Sequence, residues 1–189
     1  MTVKEFLDYL SQELNRSPRT VTSYAEDLYA FEAYFLDKDE GLTWETIDTD
    51  IIRDWMESMV DKGNSPSSVA RRLSAVKGFF KFALAREFIS SDPAHAIRSP
   101  KRSRPLPQFL KENEINDLLD KQAWGDDFKG LRDRLIIMML YETGVRLAEL
   151  VGMDDEAVNL TGQFVKVTGK GNKQRVIPFG NELKSMIEN

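Results

Sequence analysis

Between Phe6 and Leu84 the apolar residues return every three or four positions with polar residues between them, the pattern of amphipathic helices. Thr2 and Glu5 have the spacing of a capping box, and Phe6, Leu7, Leu10 and Leu14 supply the stripe behind it. Ser17 and Pro18 start a second helix as N-cap and first helical residue, with Val21, Tyr24, Leu28, Phe31 and Phe35 facing inward. A third carries Ile51, Ile52, Trp55 and Met59 inward and has Gly63 just past its end. The fourth, capped by Ser65 and Pro66, buries Val69, Leu73, Val76, Phe80 and Leu84. Four such helices suffice to enclose one small core.

Prolines at 93, 100, 105 and 107 then interrupt the pattern, with cations between them. This density resists helix and favours an extended connector. The expected division is a helical domain at 1–98, a basic linker at 99–107 and a second domain at 108–189. The second domain opens with a helix around Lys111 to Lys121. The continuous apolar run in "FKGLRDRLIIMMLYETG" predicts a helix buried on several sides, ended by Gly144. "RLAELVGM" predicts a short helix. Alternation then replaces the helical period: "QFVKVTG" and "QRVIPFG" read as two strands joined by "GKGNK", and "ELKSMIEN" begins another helix. The fold class is mainly α with a small β-hairpin or sheet.

Composition narrows the chemistry. The 189 residues contain no cysteine and one histidine, His95, so disulfides, thiolate metal sites and histidine-built centres are not expected. No metal and no cofactor is implied. No apolar run reaches the roughly 20 residues of a membrane span, and the N-terminus is not signal-like. A soluble, reducing, cytoplasmic setting with no membrane partner is expected. The net charge of −5 argues against a polyanionic partner, but the distribution does not. Residues 64–104 hold nine cations against Glu87 and Asp92, a local charge of +7 that leaves −12 elsewhere. Such an island either steers a polyanion to one face or is a solvated charged surface.

The Gly-Lys-Gly turn lacks the form of a nucleotide P-loop. Six residues separate Gly162 from Gly169, Gly171 stands where Ser or Thr is needed, and a strand follows instead of a helix. Taken alone, the turn is a hairpin whose glycines supply positive φ and whose lysine is exposed. Upstream, Arg146 follows the Gly144 stop, placed to project into a cleft with Glu149 and Leu150 on the next turn. It is equally a surface arginine paired with Glu149.

Together, "TGVRLAEL" and "VTGKGNKQRVIPFG" resemble the tyrosine recombinase (phage integrase-like) family, most closely its bacterial Xer-type members. "SPRTVTSYAEDLYAFEAYF", "SPSSVARRLSAVKGFFKFALARE" and "DPAHAIRSPKRSRPLP" look like that family's N-terminal core-binding domain and linker. The resemblance covers essentially the whole chain. It implies a four-helix, SAM-like core-binding domain and a partial α+β catalytic domain. It makes Arg146 the first catalytic arginine and Lys170 the catalytic lysine. It implies double-stranded DNA as partner and, in the complete protein, a homo- or hetero-tetrameric synapse. Ser17, Thr20, Ser23, Arg71, Arg72, Lys77, Arg98, Lys101, Arg102 and Arg104 become candidate phosphate contacts, with Lys173 and Arg175 beside the hairpin. Helix N-termini at Ser17 and Ser65 are further candidates.

The family also carries, after the hairpin, an H-x-x-R type motif, a His or Trp, and the nucleophilic tyrosine. The sequence reaches Asn189 before any of them, so the expectation is a catalytically incomplete fragment with part of the "LIIMMLY" face exposed, partly disordered or self-associating. "HAIR" at 95–98 matches H-x-x-R but precedes Arg146; His95 is expected to pack or cap near the boundary. Tyr9, Tyr24, Tyr29, Tyr34 and Tyr141 are expected in packing roles. Two other functions fit less of the sequence: a DNA-binding or recombinase-interacting module without cleavage, and a helical protein-interaction domain.

Overall fold

The structure, a computed structural model, describes residues 1–101, 106, 108–120, 124–169 and 172–189. The chain divides into two compact units, Met1–Leu106 and Pro107–Asn189. No helix among the described residues is long and apolar enough to cross a membrane.

The first unit is built from α1 (Val3–Asp8), α2 (Pro18–Lys38), α3 (Thr49–Asp61) and α4 (Pro66–Ala85). Three of them begin on the residue their sequence signals. The Thr2 and Glu5 side chains cap each other's backbone N–H, and Ser17 and Ser65 cap α2 and α4 with Pro at the first position. Beyond α1 the chain widens into a π-helical turn, Tyr9–Glu13. That turn takes an extra residue, which rotates the following positions off the apolar face. Leu10, within the turn, is buried as expected, while Leu14 beyond it, expected inside, is exposed.

The core is aromatic. Phe6, Phe31, Phe35, Phe79 and Phe80 are essentially inaccessible, and Trp44 from the α2–α3 loop wedges among them. Its ring centroid lies 4.3 Å from Phe79 and 5.2 Å from Phe35, and its indole N–H donates to Glu32 at 2.7 Å. α4 lies at the centre, with Ala75, Phe79, Phe82 and Ala83 buried beside the expected stripe. The buried face is therefore broader than one stripe, and it ends at Ala83, leaving Leu84 exposed. After α4, Ala94 and Ile97 return to the core, so the unit extends past its last helix. Thr49 Oγ1 donates to the Pro93 carbonyl at 2.8 Å and Lys77 Nζ to that of Ile97. His95 neither packs nor caps with its side chain. It is exposed, and its backbone N–H closes the turn to the Asp92 carbonyl at 3.3 Å.

The second unit comprises α5 (Glu112–Leu119), α6 (Phe128–Thr143), α7 (Leu147–Val151), β1 (Val158–Asn159), β2 (Phe164–Thr168), β3 (Gln174–Pro178) and α8 (Asn181–Glu188). The strands form an antiparallel sheet in the order β1-β2-β3. β1 adds a two-residue edge that sequence alternation is too short to reveal. In the β2–β3 pairing Val165 opposes Ile177 and Val167 opposes Arg175. Val165, Val167 and Leu183 meet Ile115, Met138, Met139 and Val145 in one core. The Gly180 N–H is accepted by Glu142, which ties the start of α8 to the end of α6.

α6 departs from its expected burial. Met138, Met139 and Thr143 are inside, but Phe128, Leu131, Ile136 and Tyr141 are exposed. Its apolar run covers the whole circumference while only one side meets the core, and part of the "LIIMMLY" face is open. Gly144 ends the helix in the left-handed region at φ 60°, donating to the Leu140 carbonyl.

Candidate functional site

The left-handed turn at Gly144 redirects the chain so that Arg146 becomes the extended residue before α7. Its N–H would be one of the unsatisfied donors of a helix start. Glu149, three residues on, accepts it through Oε2 at 2.8 Å and takes Arg146 Nη1 on Oε1 at 2.8 Å. The same carboxylate receives β3. Arg175 Nη1 donates to Oε1 at 2.8 Å and Nη2 to Oε2 at 2.7 Å, a two-point fork. The Glu149 side chain is 7% exposed, Arg175 37% and Arg146 70%. One nearly buried carboxylate therefore joins the start of α7 to the hairpin and leaves the Arg146 guanidinium largely in solvent. The Arg175 fork first, then the Arg146 backbone N–H, hold the Glu149 carboxyl well below the usual carboxylate range against the opposing effect of burial.

The hairpin narrows at Gly169, whose N–H donates to the Lys173 carbonyl at 2.8 Å. Among the described residues of the turn the positive φ belongs to Asn172, at 59°. Gly169 serves close approach instead: a Cβ there would lie 3.2 Å from Glu149 Oε1 and 3.3 Å from Arg175 Nη1. Arg146, Glu149, Lys166, Val167, Thr168 and Gly169 line a cleft of about 420 Å³ between α7 and β2. Lys170 follows Gly169 directly in the sequence and, with Gly171, lies outside the described residues.

The basic island of the first unit is less free than its charge suggests. Arg71 forks onto Asp27 of α2, Nη1 to Oδ2 at 2.5 Å and Nη2 to Oδ1 at 2.7 Å. Asp27 is 4% exposed, and Arg72 Nε stands 3.8 Å from it. The aspartate also raises the Arg71 pKa. Lys77 is occupied by the Ile97 carbonyl, and Arg86 pairs with Glu13. Lys81, Arg98 and Lys101 are exposed and make no ion pair among the described residues. Arg102 and Arg104 lie outside them. Ser17 Oγ is engaged at the helix start, accepting the Thr20 N–H and sharing a hydrogen bond with its hydroxyl; Ser23 is half-buried.

Asp27 meets Arg71, and Tyr24 faces Gly78, so α2 and α4 run antiparallel. The N-termini at Ser17 and Ser65 thus point from opposite ends of the pair, on the order of 25 Å apart at 1.5 Å per helical residue. Arg71 and Arg72 gather near the middle of α2, and the structure does not bring the two helix starts together. Lys173 is exposed beside the turn, whereas Arg175 points at Glu149.

Sequence reasoning missed two anchors, Asp27 and the Glu149–Arg175 fork. Asp27 carried a signal. It lies three residues after Tyr24 and four before Phe31, on the apolar stripe, where a carboxylate needs a cationic partner. The fork carried none, because Glu149 and Arg175 are 26 residues apart and meet only through the hairpin register.

Two family models match the chain. Residues 3–87 match the phage integrase N-terminal SAM-like domain, and residues 108–189 match the phage integrase family. The chain belongs to the phage integrase family. Among its relatives, the tyrosine recombinase XerC of Natranaerobius thermophilus is 38% identical over 184 residues, spanning 97% of this chain and 61% of that protein. The tyrosine recombinase XerD of Staphylococcus haemolyticus is 35% identical over 186 residues, spanning 98% and 62%. This integrase-family chain thus spans about three fifths of the length of such relatives. Two solved structures share its fold. The Tn1549 transposon integrase, in complex with a circular intermediate DNA, superposes with a TM-score of 0.72 at 17% identity, covering all of this chain and 64% of that one. A lambda integrase(75-356) dimer bound to a COC′ core site gives 0.68 at 23%, covering all of this chain and 67% of that one.

Proposed function

We propose that the complete protein is a site-specific DNA recombinase of the tyrosine type and that this chain carries its DNA-clamping domain and the arginine–lysine part of its active site. The observation that carries this is Arg146: a guanidinium 70% exposed at the rim of a cleft, held by a single Nη to an almost buried carboxylate. Among the described residues its side chain uses one of five N–H donors, which leaves four for a ligand.

The chemistry is phosphoryl transfer to a tyrosine. The tyrosine oxygen bonds to the phosphorus of a DNA phosphodiester and the bond to the 5′-oxygen breaks, leaving a 3′-phosphotyrosyl link. A 5′-hydroxyl of a second strand reverses the step. Negative charge concentrates on the nonbridging oxygens in the transition state, where Arg146 binds them in a fork. Lys170 delivers a proton to the departing 5′-oxygen. Losing one such preorganised donor costs on the order of 10²–10³ in rate. The proposal places the nucleophilic tyrosine in the rest of the complete protein, since this chain spans about three fifths of the length of relatives such as XerC.

Double-stranded DNA is the partner, in a tetrameric synapse in the cytoplasm. Arg98, Lys101, Arg102 and Arg104 track phosphates along the linker, and Ser17, Thr20, Ser23, Arg72 and Lys173 add contacts. The DNA-bound integrases of similar fold support this partner. A mobility-shift titration of this chain at low and high salt, together with a search for an SDS-stable adduct of the complete protein on nicked DNA, tests the proposal. A salt-sensitive shift and an adduct are expected. A shift indifferent to salt, or no adduct, refutes it.

A further inference from the structure

We infer that Arg175 is a positioning residue, which neutralises Glu149 so that Arg146 stays available to phosphate, and is not itself a DNA contact. The inference rests on the proposal that Arg146 binds the scissile phosphate. Glu149 accepts four hydrogen bonds, from the Arg146 N–H, Arg146 Nη1, Arg175 Nη1 and Arg175 Nη2. A carboxylate has about four lone-pair sites, so the set is full. Arg146 gives it a single side-chain donor because Arg175 supplies the other two.

Removing Arg175 leaves two sites of a carboxylate only 7% exposed without donors, and a charge without its principal partner. Such a group takes the nearest donor that can move. That donor is Arg146, already bonded to Oε1 and otherwise in solvent. Its guanidinium closes into a two-point fork on Glu149, which withdraws donors and charge from the cleft. The close pass of Gly169 against both Glu149 and Arg175 ties the strand leading to Lys170 to the same carboxylate. The fork thus sets the arginine and the base of the lysine turn together.

The test uses the complete protein on a nicked duplex whose site was selected from random DNA by the wild type, with adduct formation rate and Kd measured separately. Arg175→Gln is expected to slow adduct formation on the order of 10²-fold, the scale of an ångström-sized misplacement, with Kd changed by less than about threefold. Arg175→Lys keeps the charge without the fork and falls between. The decisive variant is Glu149→Gln/Arg175→Gln: with the competing charge gone, it recovers about tenfold or more of what Arg175→Gln alone loses, since one closely spaced pair couples non-additively. A weaker Kd with a salt slope reduced by about one and no recovery in the double variant marks Arg175 as a phosphate contact and overturns the inference. So does a double variant as slow as Arg175→Gln, or an Arg175→Lys variant no better than it. Absence of an adduct from the wild type, or an unchanged rate in Arg146→Ala, overturns the recombinase assignment and this inference with it.

Discussion

Arg71 and Asp27 form a pair whose two halves differ in burial, and the difference predicts unequal costs of removal. Asp27 is 4% exposed and Arg71 51% exposed. Arg71→Ala strands a buried carboxylate whose remaining cation, among the described residues, is Arg72 at 3.8 Å. Breaking a fully buried pair costs about 3–5 kcal/mol, and the half-exposed arginine and the remaining Arg72 reduce this to roughly 2–3. Asp27→Asn leaves instead a half-exposed guanidinium that rehydrates, at about 1 kcal/mol. The gap of roughly 1–2 kcal/mol corresponds to about 5–15 °C in the melting temperature of a unit this size. Differential scanning calorimetry at pH 7 on the chain and its variants reads the first unit's transition. The double variant Arg71→Ala/Asp27→Asn is expected to melt above Arg71→Ala alone, because no charge is then left buried. A cost for Asp27→Asn equal to or above that of Arg71→Ala refutes the reasoning, as does a double variant that melts lower than both.

Three further outcomes are expected. Phe6 is 1% exposed against Phe79 and Phe82, so Phe6→Ala costs about 3–5 kcal/mol and lowers the first unit's transition while leaving the second in place, by the same calorimetry. Arg98→Ala and Lys101→Ala each lower the salt slope of DNA binding by about one, while Lys77→Ala changes it little because its ammonium serves the Ile97 carbonyl. Glu149 has a folded pKa below its unfolded one, so its stabilisation is complete above the unfolded value near 4.3 and is lost as pH falls through the folded value. Urea titrations from pH 6 downward are expected to show a steeper acid loss of the second unit in wild type than in Glu149→Gln.

Much of the architecture was legible because it depends on local signals. Capping residues, prolines at first helical positions and the change from helical period to alternation placed the α2 and α4 starts and the two long strands. What escaped depends on distant contacts. The π-helical turn moved Leu14 outside, and no residue pattern marks such a turn. Trp44 sits in a loop, where periodicity says nothing, yet it is a core residue. The apolar run in α6 predicts burial on several sides, but apolar residues around a helix do not say how many neighbours cover it. At the site, Arg146 and the possibility of its pairing with Glu149 were visible from their spacing of three residues. The second cation on Glu149 was not, and it changes Arg175 from a free cation beside the turn to the partner of a buried carboxylate.

The most direct test of the central claim is single-turnover cleavage by the complete protein carrying Arg146→Ala, with binding to the same nicked DNA measured alongside. The side chain is largely exposed and, among the described residues, bonds to Glu149 alone, so its loss is expected to leave the fold and the DNA affinity nearly unchanged. Adduct formation is expected to fall on the order of 10²–10³-fold. An unchanged rate of adduct formation in Arg146→Ala contradicts the assignment of this arginine, and with it the active site.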